Sequence, residues 1–387
     1  STALSKPLYE VVRISMPQQP DDPVRFDAQP ILAGMFEERR DPTMPTKFGK
    51  VYRPDPVWLS KSKQEAALDP DIPIVDAHHH LWDLPGFRYL FDDFLLDLQS
   101  GHNVVGTVFN ECQAMYRENG AQAMRPVGEV EFCAGIASMS ESGKYGKARV
   151  NAGIVGFADL LLGDELAAVL EAQIRVGGGR FKGVRYAGAW DIDASIGNSH
   201  TCPGPGLYRD EKFHAGVKRL GFHGLTFDAF VFHPQLSDLV HLANACPEVQ
   251  IICCHMGGPL GYGRYAGKRD DVFASWWAGM AELARCQNVA VKLGGVMMRL
   301  AAYDYGRSPA PITSKELAQL WAPYVLTCIE LFGVQRCMVE SNFPVDKIGI
   351  GYGGLWNAFK RMLSTLSVDE KEGVFSKTAK SVYRLQL

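Results

Sequence analysis

Three consecutive histidines, His78, His79 and His80, follow a short apolar run that includes Ile74 and Val75. In an extended strand alternate side chains share a face, so His78 and His80 point one way and His79 the other. Two imidazoles on one face can hold a divalent metal ion, or grip and polarise a carbonyl group. A single histidine at a wet strand end is most simply solvated. The density of histidine here, together with the polar groups that close later apolar runs, makes a functional site the better reading.

Those later runs end in Asn110-Glu111-Cys112, in Arg185-Tyr186, in Asp228 on the way to His233, and in Cys254-His255-Met256-Gly257-Gly258. Two more carry Lys292 before Gly294-Gly295 and Glu340-Ser341-Asn342-Phe343-Pro344-Val345-Asp346. Charged groups closing apolar strands are costly to bury without a purpose. The elements that must position them are eight apolar runs, at 72–80, 103–110, 154–160, 181–186, 225–232, 249–254, 289–294 and 336–341. Near-continuous apolar stretches of this length suit parallel strands covered on both faces. Helical patterns lie between them, at 164–176, 211–220, 236–245, 271–285 and 315–332. In 271–285 the spacing predicts one buried face made of Val272, Phe273, Trp276, Trp277, Met280, Leu283 and Ala284. Ser367 and Glu370 form a capping box that opens a last helix through Tyr383. The alternation predicts an α/β fold, a closed (β/α)8 TIM barrel over residues 71–387, with the chemistry at the C-terminal ends of its strands. No glycine fingerprint of a dinucleotide fold follows any early strand.

Residues 1–70 read differently, as an irregular arm rich in Pro, Asp and Arg. Its Met35, Phe36, Phe48, Tyr52 and Trp58 are too apolar for a free tail, so it is expected to wrap the barrel or a second subunit of a homodimer. The 387 residues are 47% hydrophobic with a net charge of −3, which supports a large core. That balance gives no reason to expect nucleic acid or a membrane surface as partner. No apolar window is long enough to span a bilayer, and the first residues lack a signal-peptide core. Nine scattered cysteines without zinc-ribbon spacing predict reduced thiols in a cytoplasmic protein.

Four segments carry a family resemblance: Val75-Asp76-Ala77-His78-His79-His80-Leu81-Trp82-Asp83, Cys254-His255-Met256-Gly257-Gly258-Pro259, Ser341-Asn342-Phe343-Pro344 and Thr378-Ala379-Lys380-Ser381-Val382-Tyr383-Arg384-Leu385. From residue 72 to the end the chain resembles the amidohydrolase superfamily. More narrowly it resembles the TIM-barrel lactone hydrolases, which include the 2-pyrone-4,6-dicarboxylate and sugar-acid lactonases. The stretch from His255 to Arg264 is also similar to the aminocarboxymuconate semialdehyde decarboxylases.

The resemblance implies a centre made of His78, His80 and His255. In metal-using relatives these positions bind a zinc-like ion, and in some lactonases the histidines act without one, so one divalent ion and none are equally open here. The family's strand-eight Asp is replaced by Asn342, and an amide cannot take a proton from water. The base must then come from elsewhere, with Asp346 first, Glu111 second and Asp228 also in reach. Arg185 and Lys292 could hold a substrate carboxylate, or pair internally with Glu111 or Asp228. Trp82 is expected to wall the pocket, and Arg264 with Tyr262 to form a lid. His200 is expected to be exposed, and His214, His223 and His241 carry no role. The expected function is a hydrolase opening a lactone of a small carboxylated compound. The alternatives are a metal-dependent decarboxylase of an aromatic or muconate-type acid, and a non-catalytic barrel that binds small acids.

Overall fold

The apolar runs become eight parallel strands arranged in sequential order. They are β1 Ile74–His79, β2 Val104–Asn110, β3 Arg149–Gly156, β4 Phe181–Arg185, β5 Thr226–Ala229, β6 Ile251–Cys253, β7 Val289–Leu293 and β8 Cys337–Val339. A helix follows each in turn: α1 Phe91–Leu98, α2 Val127–Glu141, α3 Leu166–Gly177, α4 Glu211–Phe222, α5 Leu236–Ala245, α6 Arg269–Leu283, α7 Ser314–Phe332 and α8 Tyr352–Met362. This is the expected (β/α)8 barrel, seen in a computed structural model that describes residues 51–298 and 308–387. Of the segment read as an arm, the described part lies against α7 and α8, where Glu65 accepts from Ser314 and Arg361 and the Leu68 amide donates to Asn357. Residues 1–50 lie outside the described residues.

The strands are apolar on both faces because both faces are covered. Val75, Ala77, Val108, Val155, Ile252, Ala290 and Met338 fill the interior. Ile154, Val184, Phe227, Ile251 and Val291 pack outward among the residues of the helices. The interior is completed by the chain's own C-terminal segment, which contributes Ala379 and Tyr383. Two strand glycines make room for it: a Cβ on Gly106 would stand 2.5 Å from Leu387 Cδ1, and one on Gly153 2.9 Å from Leu385 Cδ2.

Between β8 and β1 the seam is irregular. The Asn342 amide donates to His78 O at 2.8 Å and the His80 amide to Phe343 O at 2.7 Å. Beside these bonds the buried carboxylate of Asp76 accepts from the Ser341 amide at 2.8 Å, from Ser341 Oγ at 2.6 Å and from the Tyr352 hydroxyl at 2.9 Å. Burial pushes this carboxyl up to about 6 against the pull of its donors.

Several expectations need correction. Strand β3 starts and ends earlier than 154–160, because Ala158 and Leu160 are buried among the outer residues rather than in the sheet. Helices α1, α2 and α8 were not foreseen; α2 spreads its apolar residues around its circumference and even buries Glu129, which hides the helical period. Trp277 is exposed, since a residue next to the buried Trp276 is rotated by about 100° around the helix. The capping box of Ser367 and Glu370 does open the last helical region, Val368–Glu372, which continues through a π-helical turn into Thr378–Val382.

Asp76→Ala removes the acceptor of the Ser341 amide, the Tyr352 hydroxyl and the His78 amide at the seam, and a buried donor left unmet costs about 1–3 kcal/mol. The unfolding free energy from urea denaturation is expected to fall by about 3 kcal/mol or more, with Asp76→Asn intermediate.

Candidate active site

His78 and His80 meet as strand alternation requires, with their Nε2 atoms 3.1 Å apart. His79 turns outward, stacks on Phe94 of α1 at 4.4 Å between ring centroids, and pairs with Thr107 Oγ1 at 2.8 Å. His255 comes in from β6, its ring centroid 4.7 Å from that of His78. A left-handed turn places it there: His255, Met256, Gly257 and Gly258 all have φ between 52° and 69°. Glycine adopts this conformation freely, whereas His255 and Met256 each give up about 1–2 kcal/mol. The turn is held by α6, whose Trp276 Nε1 donates to Met256 O at 2.6 Å.

Glu340, at the exit of β8, joins the imidazoles. Its Oε1 accepts from His255 Nδ1 at 2.6 Å and from the His255 amide at 3.1 Å, and its Oε2 lies 3.0 Å from His78 Nδ1. His78, His255 and Glu340 each offer a ligand atom within 4.8 Å of the others.

Two contacts place lone pairs on the facing nitrogens. Arg185 Nη1 can only donate, and it lies 3.2 Å from His78 Nε2, so that nitrogen carries a lone pair, while Nδ1 faces Glu340 Oε2 at 3.0 Å and the Lys292 ammonium at 3.4 Å. The carbonyl oxygen of Asn110 can only accept, and it lies 2.8 Å from His80 Nδ1, so His80 Nε2 carries a lone pair as well. Burial holds both rings well below the usual histidine pKa, with Lys292 beside His78 and Arg185 beside His80 adding to it, so both are neutral. Two lone pairs 3.1 Å apart repel unless positive charge lies between them. The donor set therefore fits a divalent ion, with Glu340 and the Asn110 carbonyl orienting the rings from behind.

The remaining candidates fall into pairs. Arg185 Nε donates to Glu111 Oε1 at 2.7 Å, and His200 Nε2 lies 3.1 Å from Glu111 Oε2. Burial alone would raise the Glu111 carboxyl, but His200 and Arg185 outweigh it and hold it below the usual range. Lys292 donates to Asp228 at 2.7 Å and to Asn110 Oδ1 at 3.1 Å. Asn342 donates through Nδ2 to Asp346 Oδ1 at 2.9 Å, and the Met297 amide to Asp346 Oδ2 at 3.0 Å. Burial holds the Asp346 carboxyl well above the usual range despite these donors. Trp82 is buried and stacks on His80, 5.6 Å between centroids. Arg264 sits at the rim, paired with Asp191 at 3.0 Å and lying over the Tyr265 ring.

His200 is not exposed: its side chain is 4% accessible and bound to Glu111. Glu340 and Asn110 stand at strand ends in the sequence, and only the structure gives them a role. The local signal for Glu340 is a carboxylate directly after the apolar Cys337-Met338-Val339.

The sequence profile of the Amidohydrolase family, Amidohydro_2, matches residues 75–385. The uncharacterized protein y4mH of Sinorhizobium fredii is 30% identical over 341 residues, covering 81% of this chain and 99% of that protein. The L-fucono-1,5-lactonase of Burkholderia ambifaria is 24% identical over 325 residues, covering 80% of this chain and 95% of that enzyme. Among solved structures, an amidohydrolase from Burkholderia multivorans with bound zinc superposes with a TM-score of 0.63 at 21% identity, over 81% of this chain and 99% of its own. With the profile running the length of the barrel, from β1 to the C-terminal segment that fills its interior, the chain belongs to the Amidohydro_2 family of amidohydrolases.

Proposed function

We propose that this chain is a hydrolase that opens a lactone or similar cyclic ester of a small acid. The observation that carries the reading is the pair of facing His78 and His80 Nε2 atoms beside the Arg185 guanidinium, with Glu340 holding His255 alongside. The similarity to an L-fucono-1,5-lactonase supports it.

The chain's own groups divide the work. Arg185, anchored by Glu111, presents Nη1 at the imidazole pair and donates to the oxygen that gains negative charge as water adds to the carbonyl. His255 borders a small pocket lined by Phe230, Phe232, Leu260 and Met298, which gives the imidazole centre an apolar wall. With Nδ1 bound to Glu340, its Nε2 takes a proton from the attacking water and returns it to the leaving hydroxyl, the division of labour of a histidine oriented by a carboxylate. Asp346 has both oxygens engaged by the Asn342 side chain and the Met297 amide, so it acts by positioning Asn342. A divalent ion held by His78 and His80 would further polarise the carbonyl and acidify the water.

A panel of five- and six-membered lactones, sugar-acid lactones and aromatic acids tests the reading. Ring opening is expected, with kcat/KM lowered about 10²–10⁴-fold in Glu340→Gln and His255→Ala and KM changing little. Loss of carbon dioxide from an aromatic acid, with no lactone opened, would replace the proposal with a decarboxylase.

Elemental analysis is expected to find close to one zinc per chain, lost in His80→Ala. Full turnover after exhaustive chelation would confine the chemistry to the side chains.

The depressed Glu111 carboxyl also sets an acid limit. A folded value below the unfolded one means its contribution is complete above about pH 4.5 and is lost as the pH falls from there. Between about pH 5 and about pH 2, Glu111→Gln is therefore expected to lose less of its remaining stability than the native chain, as read from urea midpoints.

A further inference from the structure

Lys292 is a fully buried lysine in the barrel interior, and its neighbours account for its place. Its ammonium donates to Asp228 Oδ2 at 2.7 Å and to Asn110 Oδ1 at 3.1 Å, and lies 3.4 Å from His78 Nδ1. The same Asp228 oxygen accepts from the Tyr383 hydroxyl at 2.6 Å. Tyr383 does not come from a strand or a βα loop. It is carried by the C-terminal segment, fully buried among the interior residues, with its ring 5.3 Å below the Lys292 ammonium.

We infer that Tyr383 is a positioning residue for the active site, acting on His78 and His80 through Asp228 and Lys292. The path is continuous. The tyrosine hydroxyl fixes the Asp228 oxygen, and that oxygen fixes the ammonium. The ammonium then stands 3.4 Å from Nδ1 of the His78 ring and holds the side chain of Asn110 through Oδ1, and the backbone carbonyl oxygen of the same Asn110 receives His80 Nδ1 at 2.8 Å. Both imidazoles are thus oriented from below by one lysine, and the lysine is centred by a hydroxyl from the end of the chain. A buried network of this kind is stiff because each member is satisfied only in one arrangement. Without the hydroxyl, Asp228 loses one of its donors and the ammonium is free to re-centre, which tilts both rings. The closure of the barrel interior and the geometry of its reactive end are then one structure.

The inference does not rest on the lactone reading, and its test needs no substrate. Tyr383→Phe removes a single oxygen from the full chain. In 1H–15N spectra of the imidazoles, recorded without metal, the His78 and His80 resonances are expected to move while those of His214 and His241, on α4 and α5, stay in place. The zinc dissociation constant is expected to rise about tenfold or more, the usual effect of losing an orienting group behind a ligand. For a lactone that is turned over, kcat is expected to fall about tenfold with KM within about twofold. Leu385→Ala loosens the same packing without touching the hydroxyl and is expected to leave the His78 and His80 resonances as in the native chain. Unmoved resonances in folded Tyr383→Phe overturn the proposal, and so do equal shifts in Leu385→Ala, which would reduce Tyr383 to packing. If Tyr383→Phe does not fold, 3-fluorotyrosine at position 383 keeps the ring and makes the hydroxyl more acidic. Shifted His78 and His80 resonances then support the inference, and unchanged ones overturn it.

Discussion

The seam between β1 and the exit of β8 is the constraint on which the rest depends. An eight-stranded parallel sheet closes only if its first and last strands are held in one register, and here the ladder is replaced by two backbone bonds and the carboxylate of Asp76. That register has a chemical consequence. It sets Glu340 and Asn342, which leave β8, against His78 and His80, which leave β1, so that the strands closing the barrel also assemble the site. A slip of one residue would turn His79 inward and the reactive pair outward.

Burying a charge is tolerable where it is paired and hydrogen-bonded. Arg185 with Glu111 and Lys292 with Asp228 are ion pairs with additional hydrogen bonds, the condition under which a buried pair approaches neutrality in cost. Glu340 is different. Among the described residues its ion-pair partners are imidazoles, without a lysine or arginine, so the reactive centre keeps a negative charge that a cation or a developing imidazolium can offset. The left-handed backbone of His255, Met256 and Asn342 stores strain at the same place. Each of these residues is locked by a bond from elsewhere, as Trp276 locks Met256.

Much of this was legible along the chain. The eight strands could be located because parallel strands covered on both faces are apolar without interruption, and polar residues at their ends announced the mouth of the barrel. Helices whose apolar residues follow the helical period were equally visible, while α2, with its apolar residues spread around it, was not. The pairing of His200 with Glu111 joins residues 89 positions apart, from a loop whose path has no local determinant. Lys292 and Asp228 are possible partners from their places at strand ends, yet nothing local in the sequence indicates that a tyrosine near the C-terminus completes the group.

The sequence by itself determined the barrel, the face of β1 on which His78 and His80 lie, and the set of charged groups that had to be accommodated. These follow from periodicity and burial, which are properties of short stretches. Only the tertiary structure decided which charges neutralise one another, which ring nitrogens carry lone pairs, and that Glu340 rather than Asn342 reaches the imidazoles. Those outcomes depend on distances of about 3 Å between residues far apart in the chain, and hydrogen bonds and ion pairs of that kind exist only once the barrel has closed.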